Sequence, residues 1–153
     1  MNLKYLLVAG LLLMTTGIAG LNASNQKENR NNMENLTLTK EWDKTFPKSD
    51  KIDHSKVTFV NRYGITLAAD MYKPKGATGK LPAIAVCGPF GAVKEQAAGL
   101  YAQEMAERGF LTIAFDPSFT GESGGTPRYM TSPDINTEDF SAAVDLSLIH
   151  ISE

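Results

Sequence analysis

Cysteine, histidine and tryptophan are scarce in this 153-residue chain, which has one Cys, two His and one Trp. A single thiol, Cys87, excludes an internal disulfide. Two histidines, His54 and His150, are too few for a histidine-rich metal centre. Charge of one sign is also missing: 15 basic and 17 acidic residues leave a formal net charge of −2. That balance supplies no basic stripe for nucleic acid and no pull towards an anionic membrane surface. There are no internal repeats. The 42% hydrophobic content suits one ordinary globular domain.

The chain also lacks an apolar run of the roughly 20 residues that a spanning helix needs. Its best attempt is N-terminal, where Lys4 precedes the apolar stretch Tyr5–Ile18 and Ala19, Gly20, Asn22, Ala23 and Ser24 follow. This is the layout of a secretory signal peptide, residues 1–23, with cleavage after Ala19 or Ala23. The alternative is an uncleaved anchor, which the short run disfavours. A lipoprotein anchor would need a Cys near the cleavage point. Export to the periplasm or the exterior is therefore expected, with no stable membrane span after cleavage. Residues 24–41 read as a flexible linker, because Asn25–Asn35 is polar and Asn-rich without a periodic apolar face. The two Asn-x-Ser/Thr matches, at Asn22 and Asn35, are short enough to arise by chance and carry no weight.

What is present begins at Trp42. Trp42, Phe46 and Pro47 give the segment up to Lys51 enough apolar surface to lie against a domain. Val57 and Phe59 share one face of a strand ending at Val60, and Ile65, Leu67, Ala69 and Met71 share one face of the next. Asn61-Arg-Tyr-Gly64 between them has hairpin-turn composition. Leu81–Cys87 is then a continuous apolar run, broken by Gly88-Pro-Phe-Gly91. A helix over Lys94–Arg108 follows, with Ala97, Tyr101 and Met105 on one stripe and Leu100 beside it. Gly109 supplies a left-handed end, and Phe110–Phe115 is a second apolar run. Strand, turn, helix, strand is a βαβ unit, and its wholly apolar strands imply a sheet covered on both faces. Asn136 or Thr137 is placed to cap a last helix whose Phe140, Ala143 and Val144 face the core. The last parallel strand of such a sheet would be left as a bare apolar edge.

The candidate chemistry is concentrated at the turns. Gly121-Glu-Ser-Gly-Gly125 matches G-x-S-x-G, yet Ser123 lies eight residues past Phe115 and is followed by Thr126-Pro127, not by an apolar helix. A nucleophile elbow sits directly between strand and helix, so this motif reads as a loop. Gly88–Gly91 leaves N–H groups free near a helix start, where they stabilise developing negative charge; a plain tight βα turn fits equally well. The turn lacks the G-x-G-x-x-G of a dinucleotide site. Gly76-Ala-Thr-Gly79-Lys80 lacks the spacing and hydroxyl of a phosphate loop, which leaves a Rossmann-like nucleotide binder as a weak third option. Cys87 reads as a small core side chain, His54 as a surface residue ahead of the first strand, and the carboxylates as scattered. No metal or other cofactor is expected.

Two blocks nevertheless form a familiar pair: Val86-Cys-Gly-Pro-Phe-Gly-Ala-Val-Lys-Glu-Gln96 and Phe115-Asp-Pro-Ser-Phe-Thr-Gly-Glu-Ser-Gly-Gly125. With Gly99-Leu-Tyr-Ala-Gln103 between them, they resemble α/β-hydrolases of the dienelactone-hydrolase-like group, in particular its exported bacterial members. The similarity spans about Trp42 to Asp145. It implies an α/β fold that is the N-terminal part of an α/β-hydrolase sheet, an antiparallel hairpin followed by parallel strands with helices, truncated before the nucleophile elbow. Residues 42–145 would be this partial domain. The resemblance makes Gly88–Gly91 the oxyanion turn, with the backbone N–H of Phe90 as donor, and Asp116–Ser123 a wall of the site. The triad Ser or Cys, Asp and His of such enzymes would all fall beyond Asp145. Leu146–Glu153 resembles translated sequencing-adapter DNA, so residues 146–153 read as a non-native tail and His150 is not cast as a triad histidine. The expected parent is a hydrolase of an ester, thioester or similar acyl bond in a small-molecule substrate, and the segment by itself is expected to be inactive. The alternative from another class is an exported, non-catalytic α/β binding module. Oligomeric state is not legible.

Overall fold

The computed structural model describes residues 34–151. The expected signal peptide, residues 1–23, lies outside the described residues, as does the linker up to residue 33. Four strands and two helices follow in order: β1 (Ile52–Val60), β2 (Thr66–Pro74), β3 (Ala83–Val86), α1 (Ala97–Glu107), β4 (Leu111–Phe115) and α2 (Pro133–Ile151). Among the described residues no helix is long and apolar enough to cross a membrane.

β1 and β2 form the expected antiparallel hairpin, in register from Ile52 opposite Pro74 to Val60 opposite Thr66. Its turn is closed by the Gly64 N–H donating to Asn61 O at 3.0 Å, with Gly64 at φ +80°. The Asn61 side-chain oxygen accepts from the N–H groups of Tyr63 and Ile65, so one buried Asn shapes the whole turn.

β3, α1 and β4 form the βαβ unit, with β3 and β4 parallel from Ala83 opposite Leu111 to Val86 opposite Ala114. The sheet order is β1-β2-β4-β3. β4, the last strand, is therefore internal, and the edges are β1 and, on the parallel side, β3. This corrects the expectation that the final parallel strand forms the edge: the chain passes over to β3 first and fills the gap beside β2 on its return. All five β4 residues are buried, whereas all four of β3 are half-buried.

Alternation along the strands divides the core between two faces. Leu67, Ala69 and Met71 of β2 join Leu111, Ile113 and Phe115 of β4, Phe59 and the α2 residue Ala143 on one side. Tyr72, Ala114 and Ile52 pack against Ala102 and Ala106 of α1 on the other. The sheet is thus covered on both faces, as its unbroken apolar strands require.

Both helices depart from expectation in which residues they bury. In α1 the buried face is Ala98, Gly99, Ala102, Gln103 and Ala106, while Leu100 and Tyr101 point outward at 42% and 51% exposure. Small side chains let the helix backbone lie close to the sheet. The Thr112 hydroxyl reaches from β4 to Ala102 O at 2.8 Å, and a Cβ on Gly99 would stand 2.2 Å from Lys94 O. The helix begins at Ala97 because residues 88–96 are spent on turns. It ends in a Schellman arrangement, with Gly109 N–H donating to Ala106 O and Phe110 N–H to Met105 O around Gly109 at φ +101°.

α2 starts at Pro133, ahead of the expected cap at Asn136 or Thr137; the Asn136 N–H donates to Ser132 O at 2.8 Å. Proline fits a first turn, where its missing N–H has no partner to lose. Ala143 is fully buried, but Phe140 and Val144 are half-exposed, so only part of the expected core stripe faces the sheet. The Phe140 ring still meets Phe115 edge-on at 4.9 Å. The helix runs past Asp145 without a break, up to Ile151, and Ser147 is buried within it.

Candidate active site

The turn after β3 is built from its sequence outward. Ala92 N–H donates to Pro89 O at 3.0 Å, and Gly91 takes φ +84°, the third position of a type II turn that a side chain resists. A Cβ on Gly88 would approach the Ala92 Cβ to 2.9 Å, so the chain folds tightly back on itself here. Among the described residues none accepts a hydrogen bond from the Phe90 N–H. The Phe90 ring is 69% exposed. Beneath the turn lies a small cavity of about 100 Å³, walled by Cys87, Phe90, Phe115, Pro117, Met130 and Phe140 among others. Strand end, unpartnered amide and apolar hollow therefore coincide.

The loop from Asp116 to Gly125 forms the neighbouring wall. Ser123 is 2% exposed; its hydroxyl donates to Asp116 O at 2.7 Å and accepts from Ala68 N–H at 2.9 Å. Both bonds are to backbone, so the side chain staples the loop onto β2. The glycines around it are steric necessities. A Cβ on Gly121 would stand 2.2 Å from a carboxylate oxygen of Asp116, and one on Gly125 2.6 Å from the Phe119 ring. The G-x-S-x-G pattern here is loop packing.

Asp116, at the end of β4, holds the two loops together. Its Oδ1 accepts the Lys94 backbone N–H at 2.8 Å, and its Oδ2 accepts Lys94 Nζ at 2.8 Å and the Glu122 N–H at 2.9 Å. Asp139 plays the corresponding part for α2, accepting from Ser118 N–H, the Ser118 hydroxyl and Asn61 Nδ2, each at 2.8 Å. Cys87 lines the cavity half-buried. Burial first, then the carboxylates of Asp116 and Asp139, push its thiol up to about 11. At neutral pH it is a protonated core thiol, not a nucleophile.

The model of the X-Pro dipeptidyl-peptidase (S15) family matches residues 63–145. The chain belongs to that family. The match runs from the hairpin turn through both motif blocks. The uncharacterized protein PA2218 of Pseudomonas aeruginosa is 63% identical over 146 residues, which are 94% of this chain and 39% of that protein. A crystal structure of PA2218 superposes with a TM-score of 0.72 at 73% identity, covering 74% of this chain and 36% of that one. The thiohydrolase aneE of Aspergillus aculeatus is 34% identical over 91 residues, 60% of this chain and 28% of its own length. The α/β hydrolase GrgF from Penicillium sp. sh18 has a TM-score of 0.55 at 27% identity, over 61% of this chain and 32% of its own. The α/β-hydrolase reading of the two motif blocks is thereby borne out. The chain spans between about a quarter and two-fifths of the length of these relatives.

Around the Lys94–Asp116 pair, this S15 segment carries a ladder of alternating charges. Lys94 Nζ also meets Glu95 Oε1 at 2.5 Å and Glu122 Oε2 at 2.7 Å. Glu122 meets Lys56 at 2.7 Å, Lys56 meets Asp43 at 3.0 Å, and Asp43 meets Lys44 at 2.5 Å. Lys44 meets Asp70 at 3.0 Å, and Asp70 meets His54 Nε2 at 2.8 Å. Burial works against the charged forms of Asp43 and Glu122, but hydrogen bonds from the flanking lysines outweigh it and hold both carboxyls down at about 2. Burial likewise disfavours the Lys94 ammonium, yet Asp116, Glu122 and Glu95 raise its pKa well above the ordinary lysine value.

Carboxylate oxygens of Asp43, Glu95 and Glu122 lie within 4.8 Å of one another, close enough to hold a cation. Two ammonium groups, of Lys56 and Lys94, already fill that position. Sequence reading missed this convergence. It also misplaced His54, which lies inside β1 with its side chain 13% exposed, between the rings of Trp42 at 5.2 Å and Tyr72 at 5.0 Å. The shared face of Val57 and Phe59 did mark the strand, but the strand extends back through His54 to Ile52.

Proposed function

We propose that the full-length protein carrying this segment is an exported serine-type hydrolase that cleaves an ester, thioester or similar acyl bond in a small-molecule substrate, with Gly88–Gly91 as its oxyanion turn. Membership of the S15 family and the likeness to a thiohydrolase and an α/β hydrolase support acyl-bond hydrolysis. The observation that carries the reading is the unpartnered Phe90 N–H, held on a type II turn at the end of β3 above an apolar hollow. In this mechanism a nucleophile attacks the substrate carbonyl, a histidine takes and returns the proton, and the Phe90 amide donates to the oxyanion as charge builds on it. Within residues 34–151 the elbow-like Ser123 is committed to two backbone bonds, so the nucleophile is assigned elsewhere in the full-length protein.

The test is to express the full-length protein with its own leader, recover it from the periplasmic or culture fraction, and treat it with a fluorophosphonate probe and p-nitrophenyl acetate. Labelling and turnover that survive Ser123→Ala are expected. A folded, exported protein inert to both reagents would show a non-catalytic binding module instead, and labelling abolished by Ser123→Ala without loss of fold would overturn the loop assignment.

A further inference from the structure

Two features lie outside the chemistry assigned so far: the charge ladder, which ends in the His54–Asp70 pair, and an open groove lined by Phe90, Val93, Thr120 and Tyr129. The ladder reaches furthest, because its Lys94 stands only three residues beyond the oxyanion turn. We propose that Lys94 and Asp116 are positioning residues: their double contact fixes where the Phe90 amide stands. This inference rests on the hydrolase reading above.

The geometry is one of two anchors. On its upstream side the turn is held by β3, whose last residue, Val86, is registered against Ala114 of β4. On its downstream side Lys94 is bound to Asp116, two residues beyond Ala114, through both its backbone N–H and its Nζ, each at 2.8 Å. Both ends of the turn are thus referenced to one stretch of β4, with only residues 87–93 spanning between them. Within that span Ala92 N–H closes a turn onto Pro89 O, and Gln96 N–H closes the next onto Val93 O across Lys94. A shift of Lys94 therefore has little slack to absorb it before it reaches Phe90. Misplacing a reacting or stabilising group by about 1 Å costs on the order of 100-fold in rate.

Economy of stability does not explain the arrangement. The side chains of Lys94 and Asp116 have no exposed surface, and desolvating such a pair offsets most of its attraction; well-packed apolar residues of the same volume are often as stable. What an apolar pair lacks is direction. Asp116 takes one backbone N–H on Oδ1 and shares Oδ2 between an ammonium and the Glu122 N–H, so it sets the register of the β3–α1 loop and the β4–α2 loop together. Gly121 is part of the same device, since its missing Cβ is what lets the second loop close on the carboxylate.

The experiment uses the full-length protein and compares wild type with Lys94→Met, Asp116→Asn and Asp43→Asn, each assayed on p-nitrophenyl acetate well below its own unfolding midpoint. Lys94→Met is expected to lower kcat about 10- to 100-fold with KM changed less than about threefold, a part of the 100- to 1,000-fold loss seen when an oxyanion donor is removed outright. Asp116→Asn keeps an acceptor for the Lys94 N–H and should lower kcat by a smaller factor; it also reads the effect if Lys94→Met does not fold. Asp43→Asn removes a charge from a part of the same ladder that touches neither Lys94 nor Asp116, and it should lower stability but leave kcat within about twofold. Wild-type kcat in folded Lys94→Met or in Asp116→Asn, or an equal kcat loss in Asp43→Asn, overturns the positioning role, because the cluster would then act through stability alone. A wild-type protein inert to the substrate removes the hydrolase reading and this inference with it, whereas an active wild type with unimpaired variants removes the inference alone.

Discussion

Replacing Gly99 by alanine sets two effects of opposite sign against each other, and the packing of α1 decides between them. In an exposed helix interior this change stabilises by about 1 kcal/mol, since glycine loses more backbone freedom on folding. Here the added Cβ would lie 2.2 Å from Lys94 O, 3.1 Å from the Phe46 ring and 3.2 Å from the Tyr72 hydroxyl. A carbon–oxygen contact needs more than 3 Å, and its partner is backbone, so the helix or the Lys94 peptide has to move by nearly 1 Å. Overpacking a tight core costs roughly 1–3 kcal/mol, and a rigid backbone partner puts this case at the upper end. The net expectation is a loss of about 2 kcal/mol. With a urea dependence of about 1–3 kcal/mol per molar, that moves the unfolding midpoint of the full-length protein down by about 1 M. Circular dichroism through a urea titration measures it. A control at Gly109→Ala separates sterics from dihedral strain: no atom lies within 4 Å of that Cβ, so only its φ of +101° costs, about 1–2 kcal/mol. A Gly99→Ala protein more stable than wild type would refute the claim that α1 lies against the sheet on its small residues.

Two further outcomes follow from the electrostatics. Asp43 and Glu122, held at about 2 against ordinary values of 3.8 and 4.5, contribute stability that is fully present above about pH 5 and is lost as pH falls from there towards 2; Lys56 and Lys94 are shifted up, so theirs is intact below about pH 10 and fades at higher pH. Urea midpoints should therefore be level between pH 6 and 9 and drop at both ends, and Glu122→Gln should flatten the acid limb; an unchanged acid limb would count against the ladder. The Cys87 thiol, raised from 9.0 to about 11, should react with iodoacetamide at pH 8 roughly 100-fold more slowly in the native state than in urea, one factor of ten per unit. Equal rates in the two states, followed by mass spectrometry, would place Cys87 in an open, unperturbed environment.

The parts of this fold that sequence made legible are those where one property suffices. Alternation marked β1 and β2, unbroken apolar runs marked β3 and β4, and Asn61–Gly64 and Gly109 marked turns whose dihedrals only certain residues accept. The face of α1 was misread because hydrophobicity ranks Leu100 and Tyr101 above Ala98 and Ala102, whereas close approach to the sheet selects by size. The start of α2 was misread because capping preference pointed to Asn136, while Pro133 already supplies a preset dihedral at the first turn. Least legible was the charge ladder. Its members are scattered from Asp43 to Glu122 and fall on five different segments, so no spacing rule joins them. One weak signal existed: Lys94-Glu95 opens a helical segment directly after an apolar strand and a glycine turn, where a charged pair is costly unless a partner waits at the end of the next strand. Asp116 stands at that position.

The same logic explains why a serine-hydrolase motif occurs in this segment without its chemistry. In G-x-S-x-G an elbow uses its glycines to make room for a strained serine; here the room is needed by other groups. Gly121 yields to the Asp116 carboxylate, Gly124 to the Glu34 carboxylate and the Thr66 carbonyl, and Gly125 to the Phe119 ring. Ser123 then faces inward to satisfy Asp116 O and Ala68 N–H, two backbone groups that the loop would otherwise bury unpaired. A buried N–H without a partner costs about 1–3 kcal/mol, enough to keep a hydroxyl at this position with no catalytic demand on it. Identical letters thus arise from two steric problems, and what separates them is the distance from the strand. At eight residues past Phe115 the chain has already turned back over β2, and the hydroxyl can only point into the protein.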